Sequence, residues 1–124
     1  MDIMKLEQDF SICKVPDLSE VDLGDKFCFI GKTDEELSLV CLTDKVPGNA
    51  THRDDCWKAF RIQGELDFSL IGILSRISTL LAENRIGIFA ISTYNTDYIL
   101  TKAADFQNAL EILKKAGFYE IVSV

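Results

Sequence analysis

The chain has 124 residues, 48% of them apolar and 27% charged. That is enough hydrocarbon for one compact domain, or two very small ones sharing a core, and too much for a disordered chain. Thirteen Lys and Arg against twenty Asp and Glu give a formal charge of −7 and a pI near 4.6, a balance that repels nucleic-acid phosphates and anionic membrane surfaces alike.

No apolar run reaches the ~18–20 residues that a membrane span needs. The opening MDIMKLEQDF lacks the basic-then-apolar order of a secretory signal. Four cysteines, Cys13, Cys28, Cys41 and Cys56, show no CxxC spacing, and two of them sit inside apolar strand-like runs. They read as buried free thiols, which points to the cytoplasm and to neither disulfides nor a metal.

The first half reads as strand-rich. Met4 to Val15 holds one or two strands, and Pro16 to Gly24 one helical turn. Phe27 to Lys32 and Glu36 to Leu42 read as two further strands around Thr33-Asp34-Glu35, and residues 43–56 as loop.

The second half alternates strands and helices. Trp57 to Gln63 is a strand closed by Gly64. A helix over 70–84 follows, with Leu70, Ile71, Ile73, Leu74, Ile77, Leu80 and Leu81 on one face. Asp67 or Ser69 is its expected N-cap. Ile86 to Thr93 and Asp97 to Lys102 form a hairpin about Tyr94-Asn95-Thr96. Asp105 is expected to cap a second helix with Phe106, Ala109, Leu110 and Leu113 inward. Lys114 and Lys115 lie in its last turn and Gly117 ends it. Tyr119 to Val124 closes the sheet.

The second half is therefore β-α-β-β-α-β, a split βαβ pattern with four strands in one sheet and both helices on one face. The first half reads as β-α-β-β, a degenerate copy by element order alone. The expected fold is α+β and ferredoxin-like, with units at residues 1–56 and 57–124.

Four stretches carry a family resemblance: EELSLVC from Glu35, WKAFRIQG from Trp57, LDFSLIG from Leu66, and ISTYNTDYIL from Ile91. They resemble small proteins built from two ACT domains, and are similar to the ACT domains of cytosolic arginine sensors of animals. The resemblance covers nearly the whole chain, and its STYNTDYIL stretch is the most specific. It implies a ferredoxin-like ACT sandwich of two units, the N-terminal one degenerate. ACT domains are regulatory modules that bind amino acids at the seam between two such units.

Ligand contacts are expected at the turn into the first helix, at Ser69, Leu70, Ile71, Gly72 and Ile73. A helix start offers unpaired N–H groups and partial positive charge to a carboxylate, and Gly72 has no side chain to block it. At the hairpin turn, Asp97 offers an anion to an ammonium, Thr93 a hydroxyl and Tyr94 an aromatic wall. The resemblance places the matching Thr, aromatic and Asp in the arginine sensors' pocket. Backbone groups of Ser38, Leu39 and Val40 are expected from the other unit. Leu70 stands where the sensors carry an acidic residue, so a ligand with a smaller, apolar or neutral side chain is expected in place of arginine.

Each contact has a plainer reading. Gly72 serves helix–sheet packing, Asp97 supports its own turn, and Ser38–Val40 is an ordinary strand. Gly31-Lys32-Thr33 is not a phosphate loop, because Lys26 stands where that motif needs glycine and three acids follow. His52, Asp54, Asp55 and Cys56 lack a second ligand pair at metal-site spacing. No activated-nucleophile signature is present.

The expectation is thus a non-catalytic, cytoplasmic regulatory module without a cofactor, dimeric with itself, binding a free amino acid or similar small zwitterion. A regulated protein partner fits the same reading. The alternative is a structural or protein-interaction module with a vestigial pocket.

Overall fold

A computed structural model describes residues 1–63 and 72–121. Two compact units divide the chain, one of residues 1–7 and 58–124, the other of residues 8–57. The first is an α+β assembly and the second is built of strands.

In the unit of residues 1–7 and 58–124, two helices cover one face of a sheet. The strands are β1 (Asp2–Lys5), the last residues of β5 (His52–Ile62), β6 (Phe89–Ser92), β7 (Asp97–Lys102) and β8 (Tyr119–Ile121). The helices are α1 (Ile73–Glu83) and α2 (Ala103–Lys115). Strand order is β6-β7-β5-β1-β8. The expected βαββαβ order is present, with a fifth strand inserted into it. β1 runs antiparallel to β5 (Ile3↔Ile62, Lys5↔Phe60) and parallel to β8 (Asp2↔Tyr119, Met4↔Ile121). The first and last strands of the pattern therefore meet through β1.

Ile3 explains why β1 belongs there. Its side chain is 1% exposed, in one cluster with Phe60, Ile62, Ile77, Leu81, Ile99 and Leu113. Alternation sends Ile3, Ile62 and Ile99 to the helix-covered face and their neighbours Met4, Arg61 and Tyr98 to the other. Arg76 ties the helices together, its guanidinium donating to the Ala116 carbonyl and lying 5.0 Å from the Phe118 ring.

α2 buries the four predicted residues, Phe106, Ala109, Leu110 and Leu113. Its start differs from expectation. Lys102 occupies the N-cap with no side-chain cap bond, and Asp105 lies in the first turn. β7 runs straight into the helix, so the strand's last residue becomes the cap, and the Asp105 charge acts on the helix dipole. Gly117 follows the C-cap with φ +97°, as a helix terminator should. The first strand of the hairpin is shorter than expected, Phe89–Ser92 in place of 86–93. The Ile86 amide is taken by the Leu81 carbonyl, which leaves Ile86 at the end of α1. Residues 122–124 of the expected last strand lie outside the described residues.

In the unit of residues 8–57 the order is β3 (Cys28–Lys32), β4 (Leu37–Leu42), β2 (Phe10–Lys14) and the first residues of β5. The helical turn expected at 16–24 is absent. Asp17 accepts the Ser19 N–H and hydroxyl and Asp22 accepts the Gly24 N–H, local bonds that hold the backbone in turns and away from helix.

The loop expected at 43–56 contains a 3-10 turn, Thr43–Lys45, and the first half of β5. That half is polar and mostly exposed, so side-chain hydropathy hid it. The ladder with β2 makes it a strand, pairing Lys14↔His52, Cys13↔Arg53 and Ile12↔Asp54. Register shifts between Phe10 and Ile12, where Cys56 takes φ +69°. This bulge aims Asp55 at the fully buried Ser11, whose hydroxyl donates to it at 2.5 Å. Arg53 clamps the same carboxylate at 3.2 and 3.1 Å.

Candidate ligand-binding site

The site is built at one end of the sheet in the unit of residues 1–7 and 58–124. β5 ends there at Ile62 and antiparallel β7 begins there at Asp97. The Thr96 hydroxyl joins them, donating to the Ile62 carbonyl at 2.7 Å. This bond is buried, and Thr96 is 7% exposed. The end of the strand that leads toward α1 is therefore fixed against the hairpin turn.

The turn is closed by Thr93 and Thr96. Thr93 N–H donates to the Thr96 carbonyl at 2.8 Å and its hydroxyl to the same oxygen at 3.0 Å, while Thr96 N–H reaches the Thr93 hydroxyl oxygen at 3.3 Å. The Thr93 hydroxyl proton is thus used inside the turn. Tyr94 projects from the tip with 98% of its surface exposed, so within this chain its ring walls nothing.

Asp97 is different. It is 9% exposed, and the Ser92 hydroxyl donates to its carboxylate at 2.5 Å. Among the described residues no Lys or Arg forms an ion pair with it. The cation at this end of the sheet, Arg61, belongs to the opposite face. It donates to the Tyr98 hydroxyl at 3.1 Å, the Met4 sulfur at 3.2 Å and Gln63 at 3.4 Å, with its guanidinium 5.9 Å from the Tyr98 ring. Strand alternation keeps it from neutralising Asp97. A shielded carboxylate held by one hydroxyl among the described residues retains acceptor capacity for an ammonium.

At the start of α1, Gly72 is the N-cap with φ +89°, and its carbonyl accepts the Arg76 N–H at 2.8 Å. It is exposed, and a Cβ there would meet nothing within 4 Å. The helix expected from residue 70 thus begins at Ile73 with Gly72 as its cap in place of Asp67 or Ser69; the expected contacts Ser69, Leu70 and Ile71 lie outside the described residues. Among the described residues no side chain caps this helix and its first turn holds no acid, so its leading N–H groups are placed to take an anion. Ile73 packs half-buried against the core. Since space is open at Gly72, only its left-handed φ resists a side chain. Gly72→Ala is expected to cost about 1–2 kcal/mol, read as a lower melting temperature.

Ser38, Leu39 and Val40 lie in the unit of residues 8–57. β4 is an interior strand there, with Ser38 opposite both Lys14 and Gly31 and Leu39 opposite both Cys13 and Ile30. Ladders on both sides engage its backbone groups, and the Leu39 and Val40 side chains are buried. A cavity of ≈360 Å³ in this unit is lined by Gln8, Asp9, Leu42, Thr43 and Asp44, none of them a residue that the sequence singled out.

Ser92 and Thr96 escaped the sequence reading. Their signal was present in the polar run Ser92-Thr93 … Thr96-Asp97, since hydroxyls flanking an acid at a hairpin turn serve to fix it. Among the described residues no three His, Cys, Asp or Glu side chains converge as metal ligands, and no helix is long and apolar enough to cross a membrane.

The ACT-domain family profile matches residues 52–115. A second profile, described as an N-terminal domain, matches residues 8–49. No curated protein sequence matches the chain. Among solved structures, the chain is similar to protein Atu0741 of A. tumefaciens at 30% identity and TM-score 0.87, over 99% of this chain and 93% of that one. It also superposes on aspartate kinase from Clostridium acetobutylicum at 16% identity and TM-score 0.65, covering 89% of this chain and 33% of the kinase. The regulatory subunit of aspartate kinase from Thermus thermophilus gives 12% identity and TM-score 0.66, over 93% and 96% of the two chains.

Proposed function

From the premise that the chain belongs to the ACT-domain family, we propose that it is a non-catalytic regulatory module that binds a free amino acid or similar small zwitterion. The α-carboxylate docks on the N–H groups at the start of α1, beside Gly72. The ammonium docks on Asp97. A second ACT-like unit closes the pocket at a seam, the protein works as a homodimer in the cytoplasm, and ligand occupancy biases its association with itself or with a regulated partner.

The observation that carries this reading is Asp97, nine-tenths buried with a single hydroxyl partner and no ion pair among the described residues. An isolated carboxylate out of water is costly, and an arriving ammonium recovers that cost as binding energy. The helix start, without a side-chain cap among the described residues, supplies the opposite charge a zwitterion needs.

Thermal shift against the free amino acids tests it. A ligand at ~100 times its Kd adds about 2.7 kcal/mol, worth roughly 8 °C or more for a chain of this size. Neutral and apolar amino acids are expected to give the shift. A panel in which arginine alone binds tightly would contradict the ligand class. The second reading, a protein-interaction module with a vestigial site, has one observation in its favour: the Thr93–Thr96 turn satisfies its own hydroxyl and amides. A flat response to every amino acid would select it.

A further inference from the structure

All four thiols lie in the unit of residues 8–57, and three of them share one face of its strands. Cys13 is on β2, Cys28 on β3 and Cys41 on β4. Cys13 and Cys41 are buried with Val15 and Leu39, and Cys28 packs against them half-buried. None of them belongs to the ligand site.

Cys28 and Cys41 are direct antiparallel partners, so their side chains share a face. The hydrogen-bond alternation fixes which kind of pair they are. Thr33 N–H donates to the Glu36 carbonyl, which makes Thr33 and Glu36 a hydrogen-bonded pair. Counting down the ladder, Gly31↔Ser38 and Phe29↔Val40 repeat that type, and Cys28↔Cys41 falls on the alternate, non-hydrogen-bonded type. Such pairs hold their Cα atoms about 4.5 Å apart, inside the ~4.4–6.8 Å that a disulfide spans. Cys13 faces Leu39 and meets Cys41 only diagonally.

We propose that Cys28 and Cys41 form an oxidative modification site that closes as a cross-strand disulfide, locking edge strand β3 to β4. The oxidant is a small-molecule disulfide. The Cys28 thiolate attacks one of its sulfurs, forming a mixed disulfide and releasing one small thiolate. The Cys41 thiolate then attacks the Cys28 sulfur, forming the intrachain bond and releasing the second. Two cysteine thiols are oxidised by two electrons, the reagent is reduced to two thiols, and the two protons end on those thiols or in water.

Cys28 goes first because it is the more accessible. Cys41 is slow to follow. Burial pushes its thiol up to about 12, helped by Cys13, which accepts its S–H, and by Cys28, with Arg53 acting in the other direction. Burial and then Asp25 and Asp22 push Cys28 up as well. The site therefore resists mild oxidation and closes faster as the medium becomes alkaline.

The test uses the full chain carrying Cys56→Ser, which removes the exposed thiol, incubated reduced and native with oxidised glutathione. The expected product has lost the mass of two hydrogens and yields one linked peptide pair, Cys28 with Cys41. Its rate rises about tenfold per pH unit between about 7 and 9, as thiolate fraction does. The closed form melts roughly 5–10 °C higher than the open one. Adding Cys28→Ser, a half-buried change that spares the core, abolishes the mass loss. A Cys13–Cys41 peptide, a mass loss that survives Cys28→Ser, a glutathione adduct that stays on Cys28, or an unchanged mass would each overturn the proposal.

Discussion

A chain lacking residues 1–7 is expected to lose the folded state of the unit of residues 58–124. β1 is an interior strand there, paired with β5 on one side and β8 on the other. Its removal strips both ladders and takes away Ile3 and Leu6, 1% and 4% exposed. The Leu6 N–H bond to the Ala59 carbonyl goes too. Truncating one such buried side chain to alanine costs about 2–5 kcal/mol. Two of them, with an interior strand, reach the whole ~5–15 kcal/mol by which a domain is folded. Loss of the cooperative far-UV transition and of dispersed amide signals is the expected result. Ile3→Ala gives the graded version, about 2–5 kcal/mol and roughly 10 °C or more in melting temperature. A truncated chain that melts within a few degrees of the intact one would show that β8 can close on β5 without β1.

That dependence was not readable from the amino acids, and the reason is physical. Periodicity reports which face of an element is buried, not which distant element it is buried against. Met4 to Val15 announces strand, and both strands form, but nothing in their composition says that β1 pairs with residues 60–62 and 119–121 while β2 pairs with 38–42. Sequence-local signals fared better. The α2 stripe of Phe106, Ala109, Leu110 and Leu113 is buried as its spacing requires, and the hairpin at 93–96 turns where its polar residues stand. The first half of β5 failed in the opposite way. His52 to Asp55 carries loop-like side chains on a strand backbone, because the ladder to β2, and not burial, pays for it.

The site divides along the same line. That Asp97 begins a strand after a turn is local and legible. Its burial is not, since it depends on Ser92 across the hairpin and on Thr96 reaching the end of β5. Gly72 was legible as a permissive residue at a helix start. Its left-handed φ places it as the cap itself, a detail that spacing does not carry because either of two upstream residues suited the role.

Asp97→Asn is expected to abolish ligand binding while leaving the free protein as stable as before, or more so. The amide is nearly isosteric and can still accept the Ser92 hydroxyl. It removes only the charge, which no ion pair among the described residues offsets. In the free chain that charge is a burden, so its loss is worth about zero to 1 kcal/mol in favour of folding. With a zwitterion bound, the same charge is half of a desolvated ammonium–carboxylate pair, whose disruption costs about 2–5 kcal/mol. Affinity should fall ~30-fold to several thousand-fold, and the amino-acid thermal shift should vanish at concentrations that saturate the wild type. If Asp97 served only its own turn, the order would reverse, with the free variant melting lower and the shift surviving. Calorimetry of the free and ligand-mixed variant separates the two, because one reading moves the first melting temperature and the other moves only the second.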